Sequence, residues 1–170
     1  VMAEAALLDQ ENLHLVTNIR PCTWSNADLN NRTHHIETRS ELERACEEYP
    51  EVLAVLDEMS IEANAQTNGY EVNEQFYPVI THKSKMHLRL LIIGHREDGK
   101  DIAPPIREHS THFIAQEREE KDLGDDIYRA HFYQEMVDGN PADLAFTLDP
   151  IPEVAATYDP DSSAPFDISA

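Results

Sequence analysis

Basic residues, cysteines and glycines are scarce in this chain, and each scarcity argues against a class of protein. Thirteen Lys and Arg stand against thirty-three Asp and Glu, for a net charge of −20. Such a charge repels nucleic acid and anionic membranes, which argues against wholesale wrapping of DNA. Cys22 and Cys46 are the only cysteines. They are too few for a disulfide framework, and we expect both to be reduced.

Long apolar stretches are also missing. No run approaches the ~20 residues that cross a bilayer, and the N-terminus lacks the basic and apolar regions of a secretory signal. We therefore expect a cytoplasmic or virion protein without a membrane partner. The 170 residues fit one domain that buries roughly two-thirds of its unfolded surface.

The patterns along the chain predict an α+β fold with N-terminal helices, a central antiparallel hairpin or sheet, a C-terminal helix and an extended acidic tail. One α+β domain is expected over residues 1–148, with an irregular loop at residues 17–38. The tail covers residues 149–170, where Pro and Asp are frequent and basic residues are missing. That composition is typical of an extended segment.

Helical spacing predicts four helices. The first covers residues 3–16, where Ala and Leu dominate. Ser40 and Glu43 have capping-box spacing at the start of the second helix, and Pro50 suits the first turn of the third. Apolar residues then recur at helical spacing in the third helix (Val52, Leu56 and Met59) and in the C-terminal helix (Tyr128, Phe132 and Met136).

The longest apolar run, within residues 75–95, predicts the central hairpin. Its arms are residues 76–80 and 88–93, separated by a polar break. Six of the thirteen basic residues fall between His82 and His112, against four acidic residues. The hairpin is therefore a cationic element on an anionic body.

Opposite charges on one chain favour contacts between subunits. We predict that the hairpin meets the acidic helix or tail of a neighbouring subunit, which fixes register and partner choice. The candidate interface residues are Lys83, Lys85, Arg89 and Arg96 in the hairpin and Tyr158 and Phe166 in the tail. The expected partners are other protein subunits in a homo- or hetero-oligomer. Any contact with nucleic acid would use the basic window at residues 82–107.

Nine histidines raise the question of a metal. His109 and His112 would converge on one face if their segment were helical, with Glu108 or His95 as a third ligand. No cysteine pair and no His-Glu-x-x-His motif supports that site, so we predict neither a metal nor a cofactor. His34 and His35 are neighbours on an extended segment, where adjacent side chains point opposite ways and do not share a metal.

Residues 42–59 read Leu-Glu-Arg-Ala-Cys-Glu-Glu-Tyr-Pro-Glu-Val-Leu-Ala-Val-Leu-Asp-Glu-Met. This segment resembles a helix near the start of tailed-phage portal proteins, where Pro-Glu-Val followed by an apolar helix precedes the body of the subunit. The resemblance implies a subunit of a virion or a similar assembly. Portal subunits are typically much longer than this chain.

No catalytic motif accompanies these features. The chain has no Gly-x-Ser-x-Gly and no Gly-rich phosphate loop, and its carboxylates are too numerous for spacing to select a catalytic pair. We predict a non-enzymatic subunit of a larger assembly that contacts its neighbours through the basic hairpin and the acidic tail. One alternative is an acidic inhibitor, immunity protein or DNA mimic that binds a basic partner. A second is a metal-dependent enzyme built on His109 and His112.

Overall fold

A computed structural model describes residues 2–20, 23–59, 69–96, 100–119, 127–138, 140–148, 156–157 and 164–170. The protein is of mixed α+β class, as the sequence predicts, with parallel and antiparallel sheets. The helical segments are α1 (Met2–Asp9), α2 (Ala27–Asn31), α3 (Arg39–Glu48), α4 (Gly69–Glu71), a π-helical segment (Val72–Phe76), α5 (Tyr77–His82) and α6 (Pro104–Glu108). The strands are β1 (Leu13–Thr17), β2 (Thr23–Trp24), β3 (Thr33–His35), β4 (Glu51–Leu56), β5 (Leu88–Ile92), β6 (Phe113–Glu119), β7 (Ile127–Val137), β8 (Asn140–Leu148) and β9 (Ala156–Thr157).

Four parallel strands form the central sheet, in the order β3-β1-β4-β5. Leu15 of β1 pairs with Thr33 of β3 on one side and with Leu53 of β4 on the other. Parallel neighbours require crossover connections, which here contain helices. The central element is therefore a parallel sheet and not the predicted antiparallel hairpin.

Each face of this sheet carries its own hydrophobic core. The first core includes Val16, Val52, Ala54 and Leu56 from the strands and Leu42, Phe76 and Ile80 from the helices. The second includes Leu13, Leu15 and Val55 from the strands, together with Leu7, Trp24 and Leu29. Side chains of β4 alternate between the two cores, as expected for a strand that is covered on both faces.

The strand β4 replaces the third predicted helix. A strand buried on both faces reads as a continuous apolar run without polar alternation, and Val52, Ala54 and Leu56 are completely buried. Val52 and Leu56 are four residues apart, a spacing that fits a helix but also, because four is even, one face of a strand. The helix that the portal resemblance implies is therefore absent at residues 51–56.

The helix α3 confirms the second predicted helix but begins earlier, at Arg39. Thr38 is the N-cap instead of Ser40, since its hydroxyl accepts the Glu41 N–H (3.2 Å). The Glu41 carboxylate in turn accepts the Thr38 N–H (3.2 Å). This reciprocal pair is a capping box. Leu42 and Ala45 are buried on the expected face of the helix.

Residues 69–82 are helical, although the sequence predicts that residues 76–80 form one arm of a hairpin. Phe76, Val79 and Ile80 are buried and share one helical face through three- and four-residue spacing. Pro78 lies in the first turn of α5, where a missing N–H is tolerated. The second predicted arm does form a strand, β5, but it pairs in parallel with β4.

The strands β6, β7 and β8 form an antiparallel meander, and β7 replaces the predicted C-terminal helix. Phe132 and Met136 again have the four-residue spacing that both structures share. Val137 pairs directly with Asn140, so a two-residue connection joins β7 to β8. Asp138 begins it with a φ of 52°, and Asp-Gly is a preferred sequence between two hairpin strands.

The N-terminal part also differs from the prediction. α1 ends at Asp9 and β1 follows, so the helix predicted over residues 3–16 is part strand. The loop predicted at residues 17–38 contains β2, α2 and β3. The side chain of Asn26 caps α2 by accepting the Asp28 N–H (2.9 Å).

Candidate functional site

The carboxyl edge of the parallel sheet is where an open α/β sheet would bind a ligand. Such ligands lie outside the carboxyl ends of the strands, at the point where the strand order reverses. The order reverses here between β1 and β4. The expected position is therefore between Asn18, which follows β1, and Asp57, which follows β4.

The C-terminal segment, residues 164–170, fills this position. The Asn18 side chain is completely buried, and its amide donates to the carbonyls of Asp57 (2.9 Å) and Ala164 (2.6 Å). Its Oδ1 accepts the Asp57 N–H (2.8 Å). The Glu58 carboxylate accepts the Ala164 N–H (3.3 Å). Asn18 therefore ties the ends of β1 and β4 to the C-terminal segment and uses both of its amide hydrogens.

The same segment satisfies the N-terminus of α3. The Arg39 N–H donates to the Asp167 carbonyl (3.0 Å), and the Ser40 N–H donates to the Ala170 carbonyl (2.9 Å). Free N–H groups at helix N-termini bind phosphate in many α/β folds. Since the chain's own carbonyls occupy them here, this end of α3 has no free N–H groups for a phosphate.

A shallow groove of about 490 Å³ remains at this edge, lined by Glu37, Thr38, Pro165, Phe166 and Asp167. Glu37 is paired with Arg20 (2.9 Å). Hydrogen bonds from Ser169 lower the pKa of Asp167, which keeps that carboxylate ionised. Because Asp167 is held as a carboxylate and Glu37 is engaged in an ion pair, the groove does not place a protonated carboxyl beside an ionised one, as general acid and base catalysis requires.

The four basic interface candidates do not lie on a hairpin. The Lys83 ammonium donates to the His109 carbonyl (2.9 Å), and Arg89 pairs with Glu51 (3.1 Å). Lys85 is exposed in the turn before β5, and Arg96 is exposed after it. The cationic hairpin is therefore absent, and Lys83 and Arg89 make contacts within their own molecule.

The two tail candidates have different outcomes. Tyr158 lies outside the described residues. Phe166 is buried in the first core, where its ring makes an edge contact with Phe76 (centroids 6.2 Å apart, planes at 70°). Ile168 is equally buried, and the Asp167 N–H donates to the Glu37 carbonyl (2.7 Å). Phe166 therefore belongs to the hydrophobic core of its own molecule.

The candidate metal ligands His109 and His112 do not lie on one helical face. α6 ends at Glu108, so His109 and His112 follow the helix. The His109 ring is 3.0 Å from the Pro105 carbonyl and 3.3 Å from the Tyr77 hydroxyl, while His95 is exposed after β5. Among the residues that the structure describes, no three His, Cys, Asp or Glu side chains are grouped as metal ligands.

His34 and His35 point in opposite directions, as the sequence predicts. His34 Nε2 lies 3.0 Å from His14 Nδ1 of β1. His35 contacts the Arg20 guanidinium (2.7 Å) and the Asn18 carbonyl (3.2 Å) instead. The contact between His14 and His34 could not be predicted from the sequence, because only the pairing of β1 with β3 brings the two residues together.

The described residues expose five large hydrophobic side chains, and three of them lie in the meander. Val137, Leu144 and Phe146 are 49%, 53% and 48% exposed, and are termed here the ribbon patch. Leu144 pairs with Tyr133, which shares a face with Val137, whereas Phe146 pairs with Phe132 on the other face. Apolar surface is therefore exposed on both faces of this sheet.

The end of the meander is only two strands wide. β6 pairs with β7 as far as Tyr133, whereas β7 continues to Val137 and pairs there with β8. Beyond Tyr133, that edge of β7 faces no strand in the described part of the chain. Residues 134–138 and 140–144, termed the ribbon, thus include a two-stranded end of a kind that is marginally stable in water and can add a strand from another chain.

The ribbon is acidic as well as apolar. Glu135, Asp138 and Asp143 are exposed on it, and its sequence contains no Lys or Arg. Its own segment therefore has no cation to pair with these carboxylates. An apolar patch rimmed by charge is typical of a surface that binds another protein.

The chain matches no protein-family model, no curated protein and no solved structure. Across the described ranges, none of the helices combines the length and the apolar character needed to span a membrane. The surface chemistry of the ribbon and of the sheet edge is therefore the basis for a functional proposal.

Proposed function

We propose that this chain is a non-enzymatic subunit that binds another protein through the ribbon at the end of its meander. The observation that carries this proposal is the ribbon patch, in which Val137, Leu144 and Phe146 are about half exposed. Val137 lies on the two-stranded end of the meander, and Leu144 and Phe146 lie on β8 directly beside it, where three strands pair. Burial of such side chains drives most protein association. A partner that covers both faces would also stabilise a ribbon that is marginal alone.

The partner is expected to be basic, with apolar residues for the centre of the contact. A second copy of this chain is disfavoured because two molecules of net charge −20 repel each other. A basic partner would instead be attracted to Glu135, Asp138 and Asp143, which speeds encounter and selects against wrong partners. This refines the predicted oligomer toward a complex of unlike subunits.

The proposal keeps the predicted class of function but changes the contact elements. The basic hairpin does not form, and Phe166 is buried in its own molecule. The ribbon takes their place, and the sequence predicts only its first arm, up to Val137, as part of the C-terminal helix. The virion as the site of assembly is supported by the resemblance of residues 42–59 alone.

The carboxyl edge of the sheet supports the non-enzymatic part of the proposal. Residues 164–170 cover the position where a substrate would bind, and the Asn18 amide is fully used there. The alternative of a metal-dependent enzyme loses the helical face that it requires at His109 and His112. An acidic inhibitor would use the same ribbon and would differ in abolishing an activity of its basic partner.

Recovery of a binding partner tests the proposal. A tagged chain is returned to its native cells, and co-purifying proteins are quantified for the wild type and for the double variant Leu144→Ser/Phe146→Ser. Loss of two anchors at about 2 kcal/mol each should reduce the affinity for the partner by about a thousandfold. Leu8→Ser is the matched control, since Leu8 is 59% exposed on α1, away from the ribbon.

The expected result is a basic protein whose recovery is the same with wild type and Leu8→Ser and is lost with the double variant. The affinity is then measured with both purified proteins. Equal recovery with the double variant and the wild type would overturn the ribbon as the binding surface. A turnover activity of the purified chain that survives this double substitution would overturn the non-enzymatic assignment.

A further inference from the structure

Two histidines face each other between the edge strand β3 and its neighbour β1. His14 Nδ1 and His34 Nε2 are 3.0 Å apart, and the ring centroids are 5.3 Å apart with planes at 15°. The centroid separation exceeds the nitrogen separation by about two ring radii, so the rings lie side by side in one plane. This places both nitrogen lone pairs on one line, which is the geometry of a linear N–H···N hydrogen bond.

Tyr49 covers this pair. Its ring is stacked on His14 (centroids 4.1 Å, planes at 9°) and on His34 (4.5 Å, 9°). One aromatic face thus spans both imidazoles and holds them in plane. The two facing nitrogens have room for a single proton between them, and the geometry does not suit a chelated ion, whose ligand lone pairs would converge at an angle.

The charged groups around the pair have opposite effects on the pKa values of the two histidines. Burial is the main factor that lowers the pKa of both histidines. Arg32, at the end of α2, lowers the pKa of His14 further, whereas Glu48, at the end of α3, raises the pKa of both rings. Both rings are therefore neutral near pH 7, and the N–H group of one ring donates a hydrogen bond to the bare nitrogen of the other.

The first and the second proton that the pair takes up bind at different nitrogens. The first proton binds the outer nitrogen of the donor ring and leaves a charge-assisted N–H···N bond, which is stronger than the neutral one. The second must bind the facing nitrogen of the acceptor ring. Two N–H groups and two positive charges would then meet at 3.0 Å, and like charges at this distance repel strongly in a partly buried site.

The strand that would respond is short. β3 has three residues and lies at the edge of the sheet. The Leu15 N–H donates to the Arg32 carbonyl (2.8 Å) and the Ile36 N–H to the Thr17 carbonyl (3.0 Å), one at each end of the strand. The Trp24 indole N–H donates to the Thr33 hydroxyl (2.8 Å).

We propose that His14 and His34 form a two-proton switch, in which the first proton is accommodated and the second separates β3 from β1. The device is independent of the ribbon and would expose, only in acid, the edge of β1 that β3 covers. Its effect would also reach Trp24 of β2, because the indole is hydrogen-bonded to Thr33, the first residue of β3.

Trp24 is the only tryptophan of the chain, and it is 6% exposed, so its fluorescence reports on β3. The full-length protein is titrated from pH about 7 to about 4, across the ordinary range of histidine, while NMR follows the histidine ring protons. We expect the first uptake of a proton by the pair to leave Trp24 emission unchanged. The second should shift the emission to longer wavelength.

His34→Gln should remove this acid shift, because glutamine bonds to His14 without taking a proton. His35→Gln is the matched control, since His35 titrates on the same strand but contacts Arg20, and it should retain the shift. An emission shift that accompanies the first uptake, or that persists in His34→Gln, would overturn the proposal. Should His34→Gln not fold, the wild-type titration still decides, because two histidines that titrate independently would contradict a shared proton.

Discussion

Replacing Phe166 tests whether the C-terminal segment is part of the core. Phe166 is 1% exposed and contacts Phe76, so Phe166→Ala leaves a cavity and should cost about 3–5 kcal/mol. Phe146 is 48% exposed, and Phe146→Ala in the isolated chain should cost about 1 kcal/mol, because roughly half of the transfer free energy is already forgone. The expected difference is therefore about 2–4 kcal/mol, a large share of a typical folding free energy.

Urea denaturation measures both variants against the wild type. With an m-value of about 2 kcal/mol per molar urea, Phe166→Ala should lower the midpoint by about 2 M and Phe146→Ala by about 0.5 M. If Phe166→Ala costs no more than Phe146→Ala, the C-terminal segment does not belong to the core. In that case the segment would not fill the carboxyl edge of the sheet either.

Three further predictions concern the cap, the thiol and the histidines. Thr38→Ala should cost about 1 kcal/mol of unfolding free energy because it removes the capping box, and Ser40→Ala should cost less; the reverse order would contradict the observed cap. Burial raises the pKa of Cys46 to about 11, so in a Cys22→Ser background iodoacetamide at pH about 8 should label it over tenfold slower than an unfolded control; equal rates would contradict its burial. Burial lowers the pKa of the three histidines around β3 below 6.5. The unfolded chain therefore binds protons first as the pH falls below 6.5. The free energy of unfolding should then fall, for each histidine, by at most about 1.4 kcal/mol per pH unit, and by less where solvent screens the charge. An unchanged free energy of unfolding at pH about 5 would contradict this.

The strand β5 and the helix α3 could be predicted because their signals are local. Leu88 to Ile93 form an apolar run between polar segments, and Leu42 and Ala45 share a helical face. Short-range patterns of this kind do not depend on the rest of the fold. The class of the fold follows from several such signals and was predicted correctly at that level.

The errors share one physical cause. In β4 and β7 the apolar residues are four apart, which satisfies both a helix and one face of a strand. Long-range pairing decides between the two structures, and a sequence pattern does not contain that pairing. The opposite error occurs at residues 76–80, where a dense apolar run predicts a strand, whereas Pro78 at a helix start allows a buried helix.

The candidate sites depend on even longer separations. Asn18 meets Ala164 across 146 residues, and His14 meets His34 across twenty. Neither contact leaves a local motif. The ribbon patch could be read only after β7 was known to be a strand, because the faces of Val137 and Phe146 follow from its register with β8.

Photo-crosslinking from the ribbon tests the proposed function most directly. A photoreactive amino acid replaces Leu144 in the otherwise native chain, and the same amino acid at exposed Thr81 of α5 serves as the control. Illumination in the native cells should give one dominant adduct from position 144, with a basic protein, and this adduct should be absent from position 81 and lost with Phe146→Ser. The same adducts from both positions, or an adduct that survives Phe146→Ser unchanged, would contradict binding through the ribbon.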